Sequence, residues 1–371
     1  MKIGIMSMQR IVNYGSFLQA YALKETVKNI TGAEVEFVDY TIGKALISNC
    51  DCKAKKQDGK IIRALKLLNP KNFIKRKQEI ECNKSFKKYY DDFVRENLPV
   101  LKIDSEKNIR PELDILIIGS DEVFNCTQPG ETVGYSLELF GANNRAKKLI
   151  SYAASFGNTT IDKINKYEIN NELAKYLKNF DAISVRDINS YKIIEMLTNK
   201  KSVYNLDPVL IYDFENEVND DIDVKDYIVV YAYSGRIGEV EADYIKKFAK
   251  RQGKKILTLG FKQKISDICI QSASPFDVLK YIKYADYVIT DTFHGTVFSI
   301  KYGKRFATFI RNSNKEKLTD LLERFNLSER GVSSYNEMES VLTKNVDKKY
   351  IDEKIYFEKI NTVNYIKSNC C

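Results

Sequence analysis

The stretch Tyr287-Val288-Ile289-Thr290-Asp291-Thr292-Phe293-His294-Gly295-Thr296-Val297-Phe298 decides the fold. A short β-branched run gives way to polar residues and then to a pattern of helical spacing. That order reads as a buried parallel strand whose carboxyl end passes into a helix, the place where open α/β sheets hold their ligands. The stretch also contains His294, the only histidine of the chain. Histidine has an unperturbed pKa of about 6.5, which suits proton transfer near neutral pH. By itself a lone histidine is more often a structural side chain, so its neighbours decide.

Working outward, β-rich runs alternate with helical patterns. Strands are expected at Lys2–Met6, Glu34–Val38, Asp114–Ile118, Leu149–Ala153 and Ala182–Val185, with a helix opened by Phe17–Leu23. After an acid- and Asn-rich stretch the rhythm restarts. Strands are expected at Tyr227–Tyr233, Lys255–Gly260, Tyr287–Thr292 and Arg305–Ile310, and helices at Val240–Arg251, Pro275–Ala285, Gly295–Tyr302 and Lys315–Phe325. At 371 residues the chain exceeds one ordinary domain of about 100 to 200. The pattern predicts an α/β protein of two Rossmann-like domains facing a cleft. The expected boundaries are 1–212 for the first domain, 213–226 for a linker and 227–345 for the second. A final segment, 346–371, contains a helical pattern at Ile351–Lys367 that returns toward the first domain.

Composition excludes several classes. No charge-free apolar run approaches the roughly 18 to 20 residues of a membrane span, and no signal-peptide core precedes the first strand, so a cytoplasmic protein is expected. Seven irregularly spaced cysteines do not read as a disulfide framework, and one histidine cannot supply a His-rich zinc site, so no metal is expected. The phosphate loop, dinucleotide fingerprint, nucleophile elbow and zincin motif are all missing. Of the net charge of +9, residues 44–96 supply +8, from 15 Lys/Arg against 7 Asp/Glu. Within them 61–68 and 73–77 mix apolar and basic residues at helical spacing. This segment reads either as a solvated helical insertion or as a surface for an anionic membrane. No nucleic-acid reading motif accompanies it.

Four strand ends offer groups for chemistry. Asn13-Tyr14-Gly15-Ser16 precedes a helix and is either an N-cap with a glycine turn or a set of amides for an anion or a sugar oxygen. Gly119-Ser120-Asp121-Glu122 places two carboxylates at the sheet edge, for a sugar hydroxyl or a helix cap. Arg186 delivers a planar cationic fork, for a ligand carboxylate or phosphate or for an ion pair with a neighbouring acid. By spacing alone Lys317 is an ordinary helix lysine.

Taken in order, these stretches and three more resemble the polysaccharide pyruvyl transferase family. The further ones are Tyr152-Ala153-Ala154-Ser155-Phe156-Gly157, Ile183-Ser184-Val185-Arg186-Asp187 and Leu206-Asp207-Pro208-Val209-Leu210. The resemblance implies a GT-B-like fold. It implies transfer of a pyruvyl group from phosphoenolpyruvate, a co-substrate and not a cofactor, to a sugar of a surface polysaccharide or its lipid-linked precursor, giving a ketal and phosphate. His294 would then protonate the donor's methylene carbon. Arg186 would hold the donor's anionic groups and Lys317 its phosphate, with Gly295 and Thr296 beside them. Asn13, Gly15, Ser16 and Asp121 would line the acceptor side. Such a donor calls for fixed cations and helix N-termini to offset its charge. Phe124 stands where the family frequently has Trp, and 44–96 matches poorly. Rival readings are a nucleotide-sugar glycosyltransferase and a non-catalytic carbohydrate-binding or regulatory homologue.

Overall fold

The computed structural model describes residues 1–47, 84, 86–128, 130, 132–233, 235–260 and 263–371. The basic stretches at 61–68 and 73–77, and Cys50, Cys52 and Cys82, lie outside them.

Two six-stranded sheets organise the chain, and every strand pair in them is parallel. The first contains β1 (Lys2–Met6), β2 (Glu34–Phe37), β3 (Glu112–Asp121), β4 (Arg145–Ala154), β5 (Ser184–Val185) and β6 (Val203–Tyr204), in the order β2-β1-β3-β4-β5-β6. The second contains β7 (Tyr227–Tyr231), β8 (Lys255–Leu259), β9 (Ile268–Ile270), β10 (Tyr287–Thr290), β11 (Arg305–Phe309) and β12 (Gly331–Val332), in the order β12-β11-β10-β7-β8-β9. This is a two-domain, GT-B-like α/β architecture. Strands covered on both faces become continuous apolar runs, which is why β3 and β10 are so plain in the sequence.

Helix starts follow capping chemistry. Asn13 accepts from the amides of Gly15 and Ser16 and opens the Tyr14–Thr31 helix, which Gly32 ends at φ 65°. Thr292 accepts from the Gly295 amide and opens Phe293–Lys301. Ser274 and Asp277 form a reciprocal capping box at the start of Pro275–Tyr284.

The stretch 213–226 is more than a spacer. Phe214 and Val218 are buried in the main hydrophobic cluster, and Glu217 accepts from the hydroxyls of Tyr21 (2.8 Å) and Tyr212 (2.7 Å). Phe17, Tyr21, Phe214 and Phe276 pack there, some stacked and some edge-to-face, with ring centroids 5.1–6.4 Å apart, so an aromatic core joins the two halves. The last helix, Lys348–Cys370, crosses back to the first sheet. Tyr365 donates to the Ser151 carbonyl at 2.7 Å, and the Thr362 and Tyr152 hydroxyls meet at 2.9 Å. Among the described residues no helix is long and apolar enough to cross a membrane.

Candidate active site

The carboxyl edges of the two sheets face one cleft of about 700 Å³, lined in part by Asn13, Ser16, Asp121, Glu122, Arg186, His294 and Lys317. Topology explains the convergence. Asn13 follows β1, Asp121 ends β3, Arg186 follows β5, Asp207 follows β6 and His294 follows β10, while Lys317 stands in the first turn of Lys315–Arg324, after β11. Parallel strands end on the same side, so residues far apart in sequence meet.

At the centre is Arg186, whose side chain is 2% exposed. Its Nη1 donates to Asp207 Oδ2 at 2.8 Å and its Nη2 to Asp121 Oδ1 at 3.0 Å. Its Cζ lies 4.2 Å from the centre of the Phe293 ring, a cation–π contact. Asp121 also accepts from the Ser16 hydroxyl at 2.9 Å. Burial would push the carboxyls of Asp121 and Asp207 up, but Arg186 and His294 outweigh it and hold both below the ordinary carboxylate range. Both are therefore ionised, and the guanidinium is shared between two carboxylates.

His294 Nε2 lies 3.5 Å from Asp207 Oδ2, and among the described residues no hydrogen bond is made to that nitrogen. On its other side the ring meets Gly15: a Cβ built there would fall 2.2 Å from His294 Cγ and Nδ1. Phe293 and Phe298 stand at 5.4 and 6.0 Å between ring centroids. The imidazole thus comes from the second domain and is oriented by Gly15 and Asp207 of the first. Across the cleft Lys317 Nζ donates to Glu122 Oε1, and Lys317 lies 5.9 Å over Phe293. Burial raises the Glu122 carboxyl, Lys317 lowers it, and the net position is low.

Not every expected residue takes its expected place. Gly295 and Thr296 do not line the cleft: the Gly295 amide is spent on the Thr292 cap, and the Thr296 hydroxyl bonds Thr292 O and Thr308 at 3.0 and 2.9 Å inside the second domain. Gly15 acts by making room for His294. Asn13 caps its helix and donates to the Tyr233 hydroxyl across the cleft at 3.3 Å. The cleft is also less cationic than the donor reading calls for. Arg186 and Lys317 face the carboxylates of Asp121, Glu122 and Asp207, which leaves one net negative charge while the imidazole is neutral. Asp207, Phe293, Tyr231 and Tyr233 received no role from the sequence. Asp207-Pro208, an acid followed by proline at a helix start, was the available signal for the first.

Residues 13–314 match the family model for polysaccharide pyruvyl transferase. The chain belongs to the polysaccharide pyruvyl transferase family. Membership places it among transferases of polysaccharide biosynthesis and implies a polysaccharide acceptor. No curated protein matches the chain. Among solved structures it is similar to a protein described as a UDP-N-acetylglucosamine 2-epimerase from Listeria monocytogenes, with a TM-score of 0.50 and 11% identity over 99% of this chain and 96% of that one. It is also similar to MnaA of S. aureus in a UDP co-structure, with TM-score 0.49, 12% identity, and 99% and 96% of the two chains covered. At these identities the likeness concerns the fold alone. For this member of the family, the cleft between the sheets is the place where the chemistry has to be sought.

Proposed function

We propose that the protein transfers a pyruvyl group from phosphoenolpyruvate to a sugar of a surface polysaccharide or its precursor, forming a ketal and releasing phosphate, with His294 as the proton donor. One observation carries this reading: the only histidine stands in the interdomain cleft, its Nε2 without a hydrogen bond among the described residues, beside the shared Arg186 guanidinium and opposite Lys317.

The chemistry balances with these groups. An imidazolium gives its proton to the donor's methylene carbon, which becomes a methyl group, and the adjacent carbon turns electrophilic. One sugar hydroxyl adds there; phosphate leaves as the second hydroxyl closes the ketal. Of the two hydroxyl protons, one restores the imidazolium and one departs with phosphate. A positioned general acid contributes about 10² to 10⁴ in rate. Arg186 and Lys317 offset developing charge on the carboxylate and phosphate oxygens, Lys317 by exchanging Glu122 for the donor. We further propose that the acceptor is lipid-linked and that the basic 44–96 segment bears on the anionic inner membrane face.

The test incubates the protein with phosphoenolpyruvate and a panel of lipid-linked and free oligosaccharides, reading phosphate release and the pyruvate mass increment. His294→Ala should abolish turnover while phosphoenolpyruvate still protects the protein against heat. Protection by nucleotide sugars but not by phosphoenolpyruvate would overturn the proposal in favour of glycosyl transfer.

A further inference from the structure

Two hollows open off the cleft. One lies over the ends of β1 and β2 and includes Arg10 and Asp39. Its central pair is already formed, since Arg10 grips Asp39 through Nε at 2.6 Å and Nη2 at 2.8 Å, and Lys107 stands at its side. The other, of about 720 Å³, runs between the domains and shares Asn13, Tyr231, Tyr233 and Thr292 with the cleft. Its described walls carry five aromatic rings, those of Tyr14, Phe86, Tyr89, Tyr231 and Tyr233, and no Asp, Glu, Lys or Arg.

The contrast between cleft and groove is sharp. The cleft concentrates ionised side chains; the groove beside it is neutral and aromatic. Two of its rings stay well exposed, Phe86 at 54% and Tyr233, which stacks on Arg236, at 45%, although large aromatic side chains gain most from burial. The polar groups of the described lining are uncharged and sit among the rings: the Asn13 and Gln263 amides and the hydroxyls of Tyr14, Tyr89, Tyr231, Tyr233 and Thr292. Apolar walls with a small number of placed polar groups are the usual make-up of a small-molecule site.

Resting on the function proposed above, we infer that this groove seats the acceptor as a neutral pyranose, leaving the charged cleft to the donor. A pyranose has an apolar C–H face that suits a ring such as Phe86 or Tyr233, and hydroxyls at its edge that suit the amides. Its continuity with the cleft through Asn13 and Tyr233 lets a sugar held here present hydroxyls toward His294. A sugar carrying a carboxylate would lose hydration in this groove, whose described lining holds no Lys or Arg, and the cation stacked on Tyr233, Arg236, already faces Asp291.

The experiment compares neutral alkyl pyranosides with the matching uronic acids, both as acceptors at saturating phosphoenolpyruvate and as ligands by saturation-transfer NMR. Wild type, Phe86→Ala and Phe86→Trp are used, all checked for an unchanged melting temperature. Expected are a preference for neutral sugars and an acceptor KM raised about tenfold or more in Phe86→Ala, the scale of one lost apolar ring contact. Phe86→Trp should restore it, and protection by phosphoenolpyruvate should be the same in all three. Equal use of uronic acids, or an unchanged KM and NMR signal in Phe86→Ala, would overturn the inference, as would a groove that binds a polyprenyl phosphate and no sugar. If no variant releases phosphate but neutral sugars bind in a Phe86-dependent way, the donor reading fails and the groove stands.

Discussion

The α-carbon of Gly15, in the first domain, abuts the imidazole of His294, in the second, so closely that a methyl group on Gly15 would lie 2.2 Å from two ring atoms. Alanine suits a helix better than glycine in general, by up to about 1 kcal/mol. At this position the gain is irrelevant, because the ring or the domain has to move. Gly15→Ala should lower kcat by about 10²-fold, the scale of a misplaced catalytic group, with little change in melting temperature. Steady-state kinetics beside a thermal melt checks this; full activity would show that the ring tolerates displacement.

Arg186 is buried between Asp121 and Asp207, and taking away one partner of a buried pair leaves an uncompensated charge. Asp207→Asn should destabilise the fold by about 3 kcal/mol, measured by denaturant unfolding. The two carboxyls titrate below their ordinary range in the folded state. Their contribution is therefore present above the unfolded carboxylate pKa and is lost as pH falls through the lowered folded values. Wild type should lose stability in acid along that course, and Asp207→Asn should lose less.

Asp320 shows the opposite sign. Burial pushes its carboxyl up to about 6 against the pull of the Tyr204 hydroxyl, which donates to it across the domains. Between the ordinary value and 6 the folded protein holds the extra proton, so stability falls as pH rises through that window. Asp320→Asn should stabilise the protein at neutral pH by about 1 kcal/mol, the figure being kept small because the group is partly exposed. The gain should shrink to nothing in acid, below the ordinary carboxylate pKa; melts at several pH values read it.

Lys317 is held by Glu122, and on the proposed function the donor has to displace that carboxylate. Glu122→Gln removes the competing charge and should lower the KM for phosphoenolpyruvate. Lys317→Ala should raise it about tenfold, the scale of one charge-assisted hydrogen bond. If both substitutions weaken the donor alike, the pair is structural.

The charge excess of residues 44–96 permits a test that needs no structure. At low salt the protein should bind anionic vesicles and release them as salt rises, since each Lys or Arg near such a surface contributes about 1 kcal/mol. Replacing the basic residues of 44–96 should remove the binding; a native protein that ignores vesicles would end the membrane reading.

Much of the fold was legible because fully covered parallel strands are written as uninterrupted apolar runs. β1, β3, β7, β8, β10 and β11 fall where the runs do, to within a few residues. The edges were harder. β6 and β12 are two residues long and β9 three, too short to show any period. In the cleft, His294 and Arg186 could be picked out by residue type and position, and Lys317 only by the family resemblance. Their ion partners could not, since nothing in sequence spacing brings Glu122 to Lys317 or Asp207 to His294 across two domains. Thr296 was named through the resemblance alone, and helix geometry turns its hydroxyl toward Thr308.

The Lys348–Cys370 helix, which leaves the second domain and bonds to Ser151 and Tyr152 of the first, has a mechanical consequence. The polypeptide passes between its halves twice, at 213–226 and again along this return. Two crossings restrain the halves where one would leave them free to swivel, so any parting of the domains has to strain the aromatic core at 213–226 and the return helix together.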